Sequence, residues 1–269
     1  YYLSTVGSIW QVNQVVSTFF GVLGTAMILK KKRVVRDYLL SSLLYGVALL
    51  GRPTAGLLMV IPIALFIDEI RRRRQSGVFV WQRVLAVLLP VFLSVTIVLV
   101  YNAARFGNPL ETGHRFLKEA PELAAKREHY GMLSLSYLPM NVWHMIVSPP
   151  RFGWVNGPTM SIDLMGNSIF FLSPVLLFAL GTLPWIGSKK RGYVHIMRAV
   201  WLGIVSTAAS SLLYYNTGWM QFGYRYALDF SFLLVLLVYI WFKGAFRWWM
   251  VPLVVYTFWV NYTGIGLLQ

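Results

Sequence analysis

Arg52, Arg105 and Arg225 each stand at the end of a long apolar run, apart from the basic clusters that carry most of the positive charge. A guanidinium is permanently charged and offers a planar fork of donors that matches a phosphate bidentately. Three of them at one membrane face would suit a phosphate-bearing headgroup. The alternative is that each snorkels from a helix end towards water or lipid phosphate, and for Arg105 that alternative is the stronger. Arg225 is the sharper candidate. It lies in Gln221-Phe-Gly-Tyr224-Arg225-Tyr-Ala-Leu-Asp229, with Asp229 four residues on along the same helical face. An acid paired with arginine at a membrane boundary is costly unless it organises something. Gln221 and Tyr224 join it as candidate binding residues.

The acids and histidines offer less. Glu111 could bind a sugar hydroxyl or an acceptor amine, against the simpler reading of a surface carboxylate. Asp163 could orient a nucleophile or carry a metal, or it could be the N-cap of the helix that follows Gly166 and Asn167. His114, His129 and His144 lack metal-ligand spacing. Glu119, Glu122 and Glu128 sit among Lys118, Lys126 and Arg127, as on a solvated helix. The chain has no cysteine, which excludes disulfides, thiolate catalysis and Cys-ligated zinc.

The elements that must position these residues follow from composition. Hydrophobic residues make up 57% of 269 positions and charged residues 12%. A soluble domain carries roughly 25% charge, so much of this surface belongs in lipid. Eight apolar segments can be drawn, at 8–29, 38–51, 54–70, 79–101, 167–187, 197–216, 225–242 and 248–266. One continuous helix over 38–70 would be about 50 Å long against a hydrocarbon core of about 30 Å. A hairpin turning at Gly51-Arg52-Pro53 fits better and keeps the clusters Lys30–Arg36 and Arg71–Arg74 on one side. With Lys189–Arg191 and Lys243–Arg247, that side holds 16 Lys/Arg and 3 acids, the other 8 and 6. The excess assigns the basic side to the cytoplasm. Trp10, Trp81, Trp185, Tyr214, Tyr215, Trp219, Trp248 and Trp249 fall at span ends, as an interfacial belt does. The net charge of +15 does not imply a nucleic-acid partner, because no basic patch is interleaved with exposed aromatics.

The fold expected is all-α: a polytopic transmembrane bundle of about eight spans, with one long outer loop bearing short amphipathic helices. Residues 1–101 form a first half, 102–166 the outer loop, and 167–269 a second half. Within the loop, 115–129 reads as a solvated helix, and Leu133, Leu135, Leu138, Val142, Trp143 and Ile146 as an apolar stripe lying flat in the interface.

Several of these motifs occur in an order that resembles bacterial GT-C glycosyltransferases, the protein mannosyltransferase-like and lipid A aminoarabinose transferase-like membrane enzymes. They are Gly51-Arg52-Pro53, Tyr101-Asn102 with Arg105-Phe-Gly-Asn-Pro109, Ser148-Pro-Pro150, Gly166-Asn-Ser168, Ser173-Pro174 and Phe222-Gly-Tyr-Arg225-Tyr226. The resemblance covers about residues 10–240, and its motifs are individually unspecific. It implies a polyprenyl-phosphate-linked sugar donor and transfer to a lipid, glycan or protein on the outer face of a bacterial cytoplasmic membrane. Arg52 and Arg225 would bind the leaving phosphate. It leaves room for a divalent cation and requires no other cofactor. The family's catalytic carboxylate lies in a first outer loop that would precede Tyr1, so this chain is expected to be a C-terminal portion without its general base. Asp163 is the one acid here offered for catalysis. Two other classes compete: a transporter or flippase of a lipid-linked or anionic solute, marked by broken helices and repeat symmetry, and a non-catalytic membrane scaffold. The glycosyltransferase reading expects Arg52, Arg105, Arg225 and Asp163 to converge beneath 130–146. Arg52→Lys is expected to weaken binding of a polyprenyl phosphate, measured by thermal shift, because lysine cannot reproduce a bidentate contact; unchanged binding would mean that Arg52 snorkels.

Overall fold

The computed structural model describes residues 9–30, 32–72, 80–113, 116, 119–154, 158–187, 193–218 and 221–266. Lys31, Arg73, Arg74, His114, Arg115, Lys118, Lys189–Arg191 and Trp219 lie outside them. Helix accounts for 76% and strand for 4%, so the chain is all-α. It forms two compact units, Tyr1–Ala120 with Lys189–Thr207, and Pro121–Ser188 with Ala208–Gln269.

The first unit is built on α1 (Ile9–Ile28), α2 (Val35–Gly51), a 3-10 turn (Pro53–Met59) running into α3 (Val60–Arg72), and α4 (Val80–Phe106). α2 begins where Asp37 accepts the N–H of Val34 at 2.9 Å and the ammonium of Lys30 at 2.6 Å. Burial pushes the Asp37 carboxyl up, but the bonds from Lys30 and Val34, with the charges of Lys30 and Arg36, outweigh it and hold the group below its ordinary value. α2 ends because Pro53 cannot continue the backbone ladder and leaves Arg52 extended, at φ −146° and ψ 118°. The chain then doubles back. Tyr38, near the start of α2, donates to Glu69 Oε2 at 2.7 Å near the end of α3, and its ring meets Phe66 edge-on. A Cβ at Gly51 would overlap the Ser17 hydroxyl, so glycine lets α1 approach this turn.

α2 packs against both α1 and α4. Thr25 Oγ1 and the Tyr45 hydroxyl lie 2.8 Å apart across its contact with α1, and Gln11, Gln14 and Ser17 of α1 and Ser41 and Ser42 of α2 are buried as well. α4 does the reverse towards solvent, leaving Leu85, Leu88, Leu89, Phe92, Leu93 and Val100 exposed. In water such a face would be an association hazard; in lipid it is matched.

The second unit contains α5 (Pro121–Tyr130), α6 (Leu138–Val142), a π-helical turn (Trp143–Val147), a hairpin of β1 (Arg151–Trp154) and β2 (Pro158–Ser161), α7 (Ile169–Leu172) and a 3-10 helix (Pro174–Trp185). α8 (Val194–Leu212) begins in the first unit; α9 (Leu228–Trp241) and α10 (Val251–Gly266) complete the second. The hairpin pairs Arg151 with Ser161 and Phe152 with Met160. Met160, Leu172, Phe222 and Val260 form a core flanked by Ile162 and Tyr256. The Pro174–Trp185 helix packs on α9 through stacked Trp185 and Trp241, 4.7 Å apart. α5 buries no residue, as a solvated helix should.

Two helices among the described residues, Pro53–Arg71 and Trp81–Phe106, are long and apolar enough to cross a bilayer, which supports a membrane protein by length and composition. The expected eight spans are not matched by eight such helices, for physical reasons visible in each case. α1 carries Gln11, Asn13 and Gln14, and α8 carries His195 and Arg198, which lower their hydropathy. α2, α9 and α10 have 17, 14 and 16 residues, and the 167–187 segment breaks at Ser173.

Glu69 also binds Arg83 of α4, Oε1 to Nη1 at 3.0 Å, with both side chains about nine-tenths buried. Arg83→Met leaves a buried carboxylate without its guanidinium and is expected to destabilise the protein by about 3–5 kcal/mol, whereas Arg83→Met with Glu69→Met should recover much of the loss. Thermal unfolding in detergent reads both; a double variant as unstable as Arg83→Met would mean the ion pair is not the cause.

Candidate functional site

The sequence candidates divide between the units. Arg52, Arg105 and Glu111 belong to the first; Asp163, Gln221, Tyr224 and Arg225 belong to the second. Arg52 is half-buried at the α2–α3 turn, where its N–H donates to Ala48 O at 2.9 Å and its carbonyl accepts the Ala55 N–H at 3.0 Å. Arg105 is exposed and folded back on its own helix, with Nη1 donating to the Tyr101 hydroxyl at 3.0 Å and the guanidinium over the Tyr101 and Phe106 rings. Glu111 accepts the Gly113 N–H at 2.9 Å within a local turn.

The four in the second unit enter one hydrogen-bonded assembly, whose centre is Asn167, a member of the Gly166-Asn-Ser168 motif to which the sequence assigns no role of its own. Asn167 is fully buried. Its N–H donates to Phe222 O and its carbonyl accepts the Tyr224 N–H, both at 3.0 Å. Its side-chain amide donates to Phe222 O at 2.7 Å and Asp163 O at 3.2 Å. Gln221 ties the same two segments: Nε2 donates to Met165 O at 2.6 Å and Thr217 O at 2.7 Å, and Oε1 accepts the Arg225 N–H at 3.2 Å. Both ends of that amide are therefore taken up by backbone, which makes Gln221 a holder of Arg225.

Tyr224 points inward. Its hydroxyl lies 3.1 Å from both Asn141 Oδ1 and Ser211 O, and burial, with Tyr226 alongside, pushes the phenol up so that it stays a neutral donor. Asn141, also fully buried, donates to Leu212 O at 3.0 Å and Tyr214 O at 2.8 Å. Arg225 begins the short 3-10 turn that leads into α9; it is half-buried, and its guanidinium carbon lies 5.3 Å from the Tyr226 ring centre. Asp229 is buried in the first turn of α9, where a negative charge complements the helix dipole.

Asp163 starts a turn. Its Oδ1 accepts the Met165 N–H and its carbonyl accepts the Gly166 N–H, each at 2.9 Å. The cap of α7 is instead Ser168, whose hydroxyl accepts from Phe170 and Phe171 and donates to Ile146 O at 2.6 Å. The turn also meets a histidine. His144, in the π-helical turn, places Nδ1 3.2 Å from Gly166 O and 3.6 Å from Asp163 Oδ2. No sequence signal marked that pair: the residues are far apart in the chain, and only the folded loops bring them together. Among the described residues no three His, Asp or Glu side chains gather as a metal site. His129 instead packs edge-on against Tyr130.

Comparison with known proteins returns no match: no family model fits the chain, and no curated protein or solved structure is significantly similar to it.

Gly166 holds a positive φ of +112°, and a Cβ there would lie 2.8 Å from Gln221 Nε2 and 3.3 Å from the Tyr224 Cα. Gly166→Ala is expected to cost about 1–3 kcal/mol. Gly131, also at positive φ but facing open space, should cost less as Gly131→Ala. Comparing the two melting temperatures separates backbone strain from the collision with Gln221.

Proposed function

We propose that the chain is a polytopic membrane glycosyltransferase, or a portion of one, using a polyprenyl-phosphate-linked sugar. Its bundle has about eight spans, and residues 102–166 lie on the outer side of a bacterial cytoplasmic membrane. The observation that carries this reading is the held arginine at the head of an apolar helix. Arg225 is half-buried, its backbone is fixed by Gln221, and α9 follows directly with Leu228–Trp241 almost wholly apolar. A lipid-linked phosphate has that form: an anion at the level where apolar chains begin. Permanent charge near the phosphate would stabilise the leaving group as the glycosidic bond breaks.

The motif order of the resembling family supports the same role for Arg52. On this reading Arg105 meets the headgroup region from outside, and Glu111 would contact a hydroxyl of sugar or acceptor. The helices that lack span character on their own become spans inside a bundle, where polar residues such as Gln11 and His195 can face protein instead of lipid.

A flippase of a lipid-linked solute is the second reading, favoured by one observation. Gln11 Oε1 and Ser17 Oγ of α1 and Ser42 Oγ of α2 are buried without a hydrogen-bond partner among the described residues. Buried polar groups of this kind could pass hydroxyl-rich cargo. Release of polyprenyl phosphate from its sugar conjugate would favour the transferase, and movement of the intact conjugate between leaflets the flippase.

In nanodiscs, undecaprenyl phosphate is expected to raise the melting temperature saturably, and Arg225→Ala to weaken its binding by about 1.5–3 kcal/mol, or roughly tenfold to a hundredfold. Equal affinity in Arg225→Ala would remove that residue from the donor site.

A further inference from the structure

We infer that His144 is the proton acceptor of this chain and that Asp163 is its positioning residue, an inference resting on the glycosyltransferase reading above. The geometry assigns the tautomer. A carbonyl oxygen can only accept, so the 3.2 Å contact with Gly166 O requires that Nδ1 carry the proton. Nε2 is then the lone-pair nitrogen, and it makes no hydrogen bond among the described residues. The Asp163 carboxylate lies beside the same nitrogen, with Oδ2 3.6 Å from Nδ1. One turn thus supplies the acceptor Gly166 O to the Nδ1 proton and sets the Asp163 carboxylate 3.6 Å from the same nitrogen, so the ring is held by its far side.

The surroundings support a working site over a packing contact. His144 lies in a π-helical turn, closed by Ser148 N–H to Trp143 O at 2.7 Å, a distortion that recurs at functional positions. Its side chain retains 12% exposure and that of Asp163 38%, so the pair is neither sealed in nor loose. The turn that fixes the ring is bound through Asn167 and Gln221 to the segment carrying Arg225. The base and the phosphate-binding arginine therefore share one scaffold.

The step is balanced as follows. The acceptor oxygen bonds to the anomeric carbon and gives its proton to Nε2; the anomeric C–O bond to phosphate breaks, and its electron pair leaves on the polyprenyl phosphate. With water as acceptor the products are free sugar and polyprenyl phosphate.

Two measurements test this in nanodiscs. The first is the nitrogen NMR spectrum of His144, assigned by comparison with His144→Asn. Protonated Nδ1 with bare Nε2 is expected; the opposite tautomer would overturn the inference whatever the substrate. The second follows release of undecaprenyl phosphate from a panel of undecaprenyl-phosphoryl hexoses and pentoses, with donor binding read by thermal shift on the same samples. His144→Asn keeps an amide near Nδ1 and has nothing at Nε2, so release should fall about 10²–10⁴-fold with binding retained. Asp163→Asn should lower release without loss of binding, and Asp163→Glu should restore part of it. Release unchanged in His144→Asn, or binding without release in the unaltered chain, would overturn the role of His144 and leave the donor site standing. Neither binding nor release with any donor would overturn the glycosyltransferase reading and this inference together.

Discussion

Wherever a buried backbone leaves helical geometry, its N–H and C=O groups must find partners inside the protein. Asn167 meets that requirement for two segments at once. Its main chain pairs with Phe222 and Tyr224 as a short parallel bridge would, while its side chain reaches Phe222 and Asp163. Gln221 repeats the device from the opposite segment. Two buried amides thus replace a sheet where no sheet exists. The position of every candidate in the second unit follows from them: Arg225 through Gln221, Asp163 through Asn167, and His144 through the turn that Asp163 begins.

The first unit obeys a different balance. Polar residues of α1 and α2 are turned inward, and large apolar residues outward along α4. Water would favour the opposite arrangement. A hydrocarbon solvent removes the cost of exposing leucine and raises that of exposing glutamine, so both observations have the same cause. The Tyr38–Glu69–Arg83 cluster adds three elements to one buried network at the far end of the hairpin from Arg52.

The helical class was legible because the apolar runs are continuous, which strands with one wet face do not produce. Two of the runs stand as helices of span length among the described residues. The number of spans was less legible, since a helix that shows one face to protein can carry Gln14 or Arg198 and lose the hydropathy by which a span is recognised. Arg225, Gln221 and Tyr224 attracted attention through residue type, yet Gln221 and Tyr224 face inward and act by holding. Asn167 and Ser168 were visible only as a motif, and Asn141 not at all, because amides and hydroxyls among turn residues show no role until the fold gives them partners. The His144–Asp163 contact depends on a loop closure that no local pattern encodes.

The π-helical turn Trp143–Val147 has a consequence for how the site could change over evolutionary time. A turn of this kind equals an ordinary helix with one residue inserted, and each residue advances an α-helix by about 100°. The insertion acts as a phase shift, rotating whatever follows relative to what precedes. Removing a single codon from this stretch would restore the regular ladder and swing the imidazole away from Gly166. Gaining one would be the reverse step, by which an apolar covering helix could acquire a ring aimed at a neighbouring turn without any substitution elsewhere.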